Sequence, residues 1–104
     1  MKLQVAIDRV PVERAMEIVK NITSEANIIE IGTSLTKEFG MRALRPVIEA
    51  TEGVAVLGDI KTCDEGKYEF DLGYRCGFSY LTVMGSASMG TLEACARSAA
   101  EHDG

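Results

Sequence analysis

The sequence predicts an α/β fold with a parallel sheet. Four short runs rich in apolar and β-branched residues are present, and each run precedes a segment whose apolar residues have helical spacing. The connections between these segments are short. Such alternation is typical of parallel strands joined by right-handed crossovers. A chain of 104 residues suffices for one domain, so residues 1–104 are expected to form a single unit.

The first two units begin with strands that carry a carboxylate. Residues 3–8 predict a strand that ends on Asp8, and Pro11 suits the first turn of a helix, which does not need its N–H. From residue 12 to residue 22 the apolar side chains recur every three or four positions, which indicates a one-sided helix. Residues 27–33 predict the second strand, with Glu30 among isoleucines.

The middle of the chain predicts two helical segments and a buried strand. Residues 34–39 favour one helical turn, and residues 41–52 favour a longer helix that Pro46 should bend or shorten, because proline lacks a hydrogen-bond donor. Residues 54–57 are continuously apolar, a pattern typical of a parallel strand that is buried on both faces.

The remaining residues complete the alternation. Residues 65–76 and 91–101 predict helices, and residues 79–84 predict a strand between them. The glycine- and serine-rich residues 85–90 suggest a phosphate cradle, but they match neither the dinucleotide-binding nor the Walker pattern. Two architectures agree with this order: a small open doubly wound sheet, or four units of a (β/α) barrel.

Charged residues collect where three of the predicted strands end. These are Asp8, Glu30 and Asp59, with Lys61 and Asp64 close behind. Side chains alternate along a strand, so Asp59 and Lys61 share a face, and both architectures bind ligands at this edge. Carboxylate oxygens at this density suit Mg²⁺, which would stabilise an enediolate next to a carbonyl, with Lys61 as a charged partner or proton carrier.

Simpler roles for the same residues are surface charge and helix capping. Asp64 is placed to cap the helix that follows it, and Asp8 to interact with the N-terminus of the first helix. Three strands that end on acids are harder to explain as surface charge than any one of these residues alone.

Composition indicates which kinds of partner the chain can bind and in which cellular compartment it is expected. A net charge of −5 argues against nucleic acid and against an anionic membrane surface as partners. Apolar runs are far shorter than the ~20 residues of a membrane span, and the first residues lead into a strand rather than a signal peptide. Cys63, Cys76 and Cys95 form no C-x-x-C pair, so reduced thiols and a cytoplasmic location are expected. Cys63 is interpreted as a filler thiol, because the single histidine, His102, is distant in sequence.

Five sequence pieces resemble a known family. They are V-A-I-D (5–8), I-I-E-I-G-T (28–33), K-E-F-G (37–40), D-I-K-T-x-D-x-G (59–66) and L-T-V-M-G (81–85). Together they resemble the first half of hexulose-6-phosphate synthases, which belong to the orotidine monophosphate decarboxylase superfamily with 3-keto-L-gulonate-6-phosphate decarboxylases. The D-x-K-x-x-D piece is the specific mark of that superfamily. The resemblance runs from about residue 3 to the end and implies four β/α units with parallel strands, half of a TIM (β/α)₈ barrel.

The resemblance also implies a site and a reaction. A glutamate at position 30, where orotidine monophosphate decarboxylases have a lysine, places the chain in the sugar-phosphate branch. Glu30 and Asp59 would then hold Mg²⁺, Asp8 and Lys61 would contact the substrate, and Asp64 would complete the catalytic set, in this branch often for a neighbouring subunit. The implied reaction is addition of formaldehyde to ribulose 5-phosphate through a Mg²⁺-stabilised enediolate. Residues 61–69 look closer to the synthase than to the decarboxylase.

The chain departs from the family in length. Complete barrels have at least ~200 residues, and their phosphate-binding loops follow strands seven and eight. We therefore expect a truncated half barrel, weakly active or inactive alone. The alternatives are a 3-keto-L-gulonate-6-phosphate decarboxylase-like enzyme and a non-catalytic half barrel that binds a partner or a sugar phosphate. Two unpaired sheet edges and an uncovered inner face predict a homo-oligomer, for example a homodimer.

Overall fold

The computed structural model describes all residues 1–104 and contains one parallel four-stranded sheet in the order β1-β2-β3-β4. The strands are β1 (Gln4–Ile7), β2 (Ile28–Ile31), β3 (Ala55–Thr62) and β4 (Tyr80–Val83). Each strand pairs with the next along the chain, so the sheet lacks the reversal of strand order that defines a doubly wound sheet. The order is that of four consecutive units of a (β/α)₈ barrel, which confirms the predicted fold class.

Four α-helices and one 3₁₀ turn connect the strands, and a fifth α-helix follows the last strand. They are α1 (Val12–Ile22), α2 (Thr33–Phe39), the 3₁₀ turn η1 (Met41–Leu44), α3 (Arg45–Glu49), α4 (Gly66–Cys76) and α5 (Met89–Glu101). The single helix predicted for residues 41–52 is wrong, because η1 and the short α3 replace it and Pro46 lies in the first turn of α3. None of these helices has the length and apolarity to cross a membrane.

The hydrophobic core lies between the helices and one face of the sheet. The sheet contributes alternate residues, since side chains of a strand point to opposite faces in turn. The buried members from the strands are Ile7, Ile29, Ile31 and Val56, and the helical side supplies Ala15, Val19, Leu35, Leu44, Val47 and Ile48. This packing fixes the register of the strands and therefore the height at which each strand ends.

The opposite face of the sheet has no helices on it. Val56 points to the core and is 2% exposed, whereas its neighbours Ala55 and Leu57 are only partly buried and Tyr80 is 46% exposed. The prediction that residues 54–57 are buried on both faces is therefore wrong for the described chain, because the helices cover one face only. The alternate residues of that open side, among them Ile28, Leu57 and Tyr80, form the inner face.

The contact between α4 and α5 requires a residue without a side chain. Gly66 begins α4, and a Cβ atom there would lie 2.8 Å from the carbonyl oxygen of Thr91 and 3.0 Å from Cys95 Sγ. The first of these atoms is backbone and cannot rotate away. The glycine therefore sets how closely the two helices approach.

We predict that Gly66→Ala lowers the free energy of unfolding by about 1–3 kcal/mol, because α5 must move to admit the methyl group. Equilibrium urea denaturation measures this change. The matched control is Gly90→Ala in α5, where the nearest atom to the new Cβ is Ser88 Oγ at 3.8 Å. That variant should be neutral or slightly more stable, since alanine favours helix. Equal destabilisation by both variants would contradict the prediction.

Candidate active site

The carboxyl end of β3 is irregular where the charged residues lie. The pairing of β3 with β4 shifts register between Gly58 and Thr62. Within this stretch Lys61 has a φ of 50°, in the left-handed region that residues with a Cβ seldom occupy. Such irregularities are common beside active sites, where they re-aim side chains. They mark this end of β3 as the functional edge of the sheet.

Asp59 and Lys61 form an ion pair that two threonines complete. Lys61 Nζ donates to Asp59 Oδ2 and to Thr33 Oγ1, the latter at 2.7 Å. Thr33 Oγ1 in turn donates to Asp59 Oδ2 at 2.8 Å, and Thr82 Oγ1 donates to Asp59 Oδ1 at 2.8 Å. Thr82 Oγ1 also accepts from the backbone N–H of Lys61 at 3.0 Å. The pair therefore links the start of α2, the end of β3 and β4. Asp59, Lys61, Thr33 and Thr82 together form the Asp59 network.

The carboxylate of Asp59 stays ionised in this environment. Partial burial acts to raise its pKa, but hydrogen bonds from Lys61, Thr82 and Thr33 outweigh that effect and hold the pKa below its ordinary value of 3.8. The Asp59 side chain is 16% exposed, whereas that of Lys61 is 49% exposed. The carboxylate is thus enclosed by donors, while the ammonium remains open to a ligand.

Asp8 lies at the end of β1, beside the start of α2. Its Oδ1 accepts from the side-chain hydroxyl of Ser34 and from the Ser34 backbone N–H at 3.3 Å. A Cβ atom on Gly32 would lie 2.1 Å from Asp8 Oδ2, so the carboxylate occupies the space that a side chain would need. The expectation that Asp8 interacts with the N-terminus of the first helix is wrong, because it contacts α2 instead.

Glu30 lies on the inner face but below the Asp59 network. It pairs in register with Leu57, two residues before Asp59 on the neighbouring strand, and its Oε2 accepts from Gln4 Nε2 at 2.5 Å. The two carboxylates therefore share a face without touching. No cluster of three or more His, Cys, Asp or Glu side chains that could hold a metal ion is present.

Asp64 is exposed and takes no part in the Asp59 network. Its Oδ1 accepts from the backbone N–H of Glu65 at 2.9 Å, and its carbonyl accepts from Thr91 Oγ1 at 3.5 Å. The capping residue of α4 is Glu65, which makes no side-chain cap bond, so the suggested capping role for Asp64 is wrong. Its side chain remains available on the surface beside the site.

Two other sequence features have structural explanations. In the glycine- and serine-rich segment, Ser88 caps α5 by accepting from the backbone N–H of Thr91 at 3.1 Å. Cys63 is exposed, and its Sγ lies 3.6 Å from the carbonyl oxygen of Lys61. Cys63 therefore does not fill interior space, and its interpretation as a thiol that is not a nucleophile stays a prediction. Neither feature adds a group to the Asp59 network.

Sequence reasoning missed Thr33 and Thr82 as members of the site. Thr82 is a polar residue within an apolar strand, and its alternation with Tyr80 places it on the inner face, a signal that was available. Thr33 follows Gly32 directly after β2, which puts its hydroxyl at the same edge. Both residues supply O–H donors that a carboxylate next to a lysine needs for its remaining lone pairs.

Comparison with known sequences identifies related proteins. The family profile of the orotidine 5'-phosphate decarboxylase / HUMPS family matches residues 1–104. A 3-hexulose-6-phosphate synthase of Mycobacterium gastri is 36% identical over 103 residues, which are 99% of this chain and 50% of the relative. A 3-hexulose-6-phosphate synthase of Bacillus subtilis is 34% identical over 93 residues, 89% of this chain and 44% of the relative. The chain spans about half the length of the relatives it matches.

Solved structures agree with the sequence relatives. A crystal structure of 3-hexulose-6-phosphate synthase superposes with a TM-score of 0.94 at 37% identity. The superposition covers 99% of this chain and 50% of the synthase chain. A crystal structure of 3-keto-L-gulonate-6-phosphate decarboxylase from Vibrio cholerae superposes with a TM-score of 0.94 at 28% identity. The superposition covers 99% of this chain and 48% of the decarboxylase chain. The two kinds of enzyme therefore share the fold of this chain equally well.

We predict that Thr82→Val raises the pKa of Asp59, because the variant removes the hydroxyl that donates to Oδ1. A carboxyl-carbon NMR titration measures this pKa directly. Thr23→Val at the end of α1, far along the chain from the site, serves as the control and should leave the Asp59 pKa unchanged. An unchanged Asp59 pKa in Thr82→Val would contradict the assigned network.

The lowered pKa of Asp59 also predicts how stability depends on pH. Its folded-state pKa lies below 3.8, so its contribution is complete above the unfolded value and is lost as pH falls through the folded value. As pH falls below about 4, the free energy of unfolding should therefore decrease less steeply in Asp59→Asn than in the unmodified chain. Urea denaturation at a series of pH values tests this, and equal slopes for the two proteins would contradict it.

Proposed function

The chain belongs to the orotidine 5'-phosphate decarboxylase / HUMPS family, and on this premise we propose that it has a hexulose-6-phosphate synthase-like lyase function. The reaction is the aldol addition of formaldehyde to ribulose 5-phosphate. One observation carries the proposal: the Asp59–Lys61 pair, completed by Thr33 and Thr82, lies at the ligand-binding edge of the sheet. The synthase names of the 36% and 34% identical relatives favour this member of the family.

Lys61 is the residue we assign to the reacting oxygens of the substrate. An ammonium group has three donors, and Lys61 directs one to Asp59 and one to Thr33. The third remains for a substrate oxygen on which negative charge develops as the proton next to the carbonyl passes to a carboxylate, assigned to Asp64 of a neighbouring copy. This proton then goes to the oxygen of formaldehyde once the new C–C bond has formed. Asp59 and Thr33 hold Nζ in place, so this donor is oriented before the substrate arrives.

Asp8 is assigned to contact with the substrate, and Asp64 is assigned to completion of the catalytic set. Ser34 fixes Asp8 Oδ1, and the carboxylate is then an acceptor for a sugar hydroxyl at the same edge. Asp64 is exposed and outside the Asp59 network, which supports a role in the site of a neighbouring copy rather than in its own. A sugar phosphate is the ligand class proposed for this edge.

Mg²⁺ is the proposed cofactor, with Glu30 and Asp59 as its protein ligands. The donor chemistry fits, because Mg²⁺ takes one or two carboxylates and keeps water at its other positions. Both side chains project from the inner face, and Glu30 is engaged only with the neutral Gln4 side chain. When bound, the ion would supply Lewis-acid stabilisation of negative charge on substrate oxygens.

Two other functions remain as alternatives. A 3-keto-L-gulonate-6-phosphate decarboxylase-like activity is favoured by the equal TM-score of the Vibrio cholerae enzyme. A non-catalytic role, in which the half barrel binds a partner or a sugar phosphate, is favoured by the 50% coverage of the relatives. In barrels of this kind the phosphate group is often held by loops after strands seven and eight, and the described residues contain four strands.

We predict that the 104-residue chain at high concentration forms hexulose phosphate from ribulose 5-phosphate and formaldehyde weakly and only with Mg²⁺. Asp59→Ala and Lys61→Ala should each lower this rate by about 10²-fold or more. Glu17→Ala on the exposed side of α1 is the control and should not change the rate.

The outcomes separate the three functions. Loss of CO₂ from 3-keto-L-gulonate 6-phosphate without aldol product would favour the decarboxylase. Calorimetric binding of ribulose 5-phosphate with no turnover of either substrate would favour the non-catalytic role. Turnover at the rate of an ordinary aldolase would contradict the proposal that this chain is weakly active alone.

We also propose that the chain forms a homo-oligomer, a homodimer in its simplest form, through the inner face and the free edges of β1 and β4. Ile28, Leu57 and Tyr80 place apolar area on that face without a covering layer. The three free cysteines support a reducing, cytoplasmic location.

We predict a dimer or larger species in sedimentation at micromolar concentration, and a shift to monomer in Leu57→Lys, which places a charge on the inner face. Met89→Lys is the matched control, because Met89 is a 68% exposed apolar residue on α5. It should leave the association unchanged. A monomeric unmodified chain would contradict the proposal.

A further inference from the structure

A cavity lies on the helical side of the molecule, away from the inner face. Its volume is about 480 Å³, within the ~300–1,000 Å³ typical of small-molecule sites. The lining residues come from η1, the start of α3 and the C-terminal half of α4: Arg42, Arg45, Leu72, Arg75 and Cys76. Because α4 starts just after the carboxyl end of β3 and returns towards β4, its last turn lies towards the amino ends of the strands. The cavity is therefore separate from the Asp59 network.

The charge at this cavity is opposite to that of the whole protein. The net charge is −5, yet three arginines and no carboxylate line the cavity. Arg42 and Arg75 take part in no salt bridge, and Arg45 has a single one, with Glu49 at 3.9 Å between largely exposed groups. By contrast, Arg14 forms a close pair with Glu17 on its own helix, at 2.8 Å. The positive charge at the cavity is thus almost uncompensated within the chain.

Helix electrostatics account for only part of this arrangement. Arg75 lies in the last turn of α4, where the helix dipole favours a cation. Arg42 and Arg45 belong to other elements and gain nothing from that helix end. Three like charges around one cavity repel one another, and an anion that enters the cavity converts this repulsion into attraction.

We propose that this cavity binds a small molecule with two linked or neighbouring phosphoryl groups. Guanidinium groups match phosphate oxygens through paired N–H donors, and three of them are sufficient for more than one phosphoryl group. Leu72 supplies an apolar wall for any uncharged part of the ligand. The site is independent of the proposed reaction, since it shares no residue with the Asp59 network.

Inorganic pyrophosphate is the first probe, because it consists of two linked phosphoryl groups and nothing else. Adenosine diphosphate is the second probe, because it carries the same two groups as part of an ester. In an NMR titration of the 104-residue chain, we expect pyrophosphate to shift the amide signals of residues 42–45 and 72–76. Arg42→Gln and Arg75→Gln should each weaken binding about tenfold, because each variant removes a guanidinium group that donates paired hydrogen bonds to a phosphoryl group. Tighter binding of adenosine diphosphate than of pyrophosphate would identify a phosphate ester as the ligand type.

Arg97→Gln on α5 is the matched control, since it removes the same charge from an exposed arginine elsewhere. It should change the dissociation constant less than twofold, and Asp59→Ala should leave pyrophosphate binding intact even if the proposed lyase function fails. Three results would overturn the inference: equal weakening by Arg97→Gln and Arg75→Gln, signal shifts confined to the Asp59 network, or an acidic peptide such as oligoglutamate binding more tightly than pyrophosphate. Absence of any shift at millimolar pyrophosphate would overturn it as well.

Discussion

The ion pair between Asp59 and Lys61 is the interaction on which the organisation of the site depends. Lys61 adopts a left-handed backbone conformation, which costs roughly 1–3 kcal/mol for a residue with a side chain. Thr82 offsets that cost from two sides, since its hydroxyl accepts from the Lys61 N–H and donates to Asp59. Removal of either charge would leave the other half of the pair without its partner at the edge of the sheet.

Close packing around glycines positions the rest of the edge. Asp8 occupies the space beside Gly32, so β1 and β2 must remain in register for the carboxylate to reach Ser34. Gly58 admits the ring of Phe78, whose nearest atoms would lie 2.9 Å from a Cβ at that position. The apolar packing next to these polar groups therefore determines their positions. A substitution that changes the volume of the core would also displace the polar side chains at this edge of the sheet.

The sequence predicted those features that depend on local pattern. The bounds of α1 follow from its apolar spacing, and the shared face of Asp59 and Lys61 follows from strand alternation. The extended chain at Asp59 and Lys61 was predicted as well, but the register shift between Gly58 and Thr62 was not, because it depends on pairing with β4. The hydrogen bonds of Thr33 and Thr82 likewise connect residues far apart in sequence, so no local pattern specifies them.

The sequential order of the sheet has a consequence for how the molecule forms. Every strand pairs with its immediate successor, so no strand pairing spans more than one helical crossover. The entropy lost on closing each of these segments is moderate, because it grows only slowly with segment length. During synthesis each β/α unit can thus dock on units already in place, with no need to wait for a distant segment. In this strand order, a strand that joins at the free edge of its predecessor leaves the earlier strand pairings unchanged.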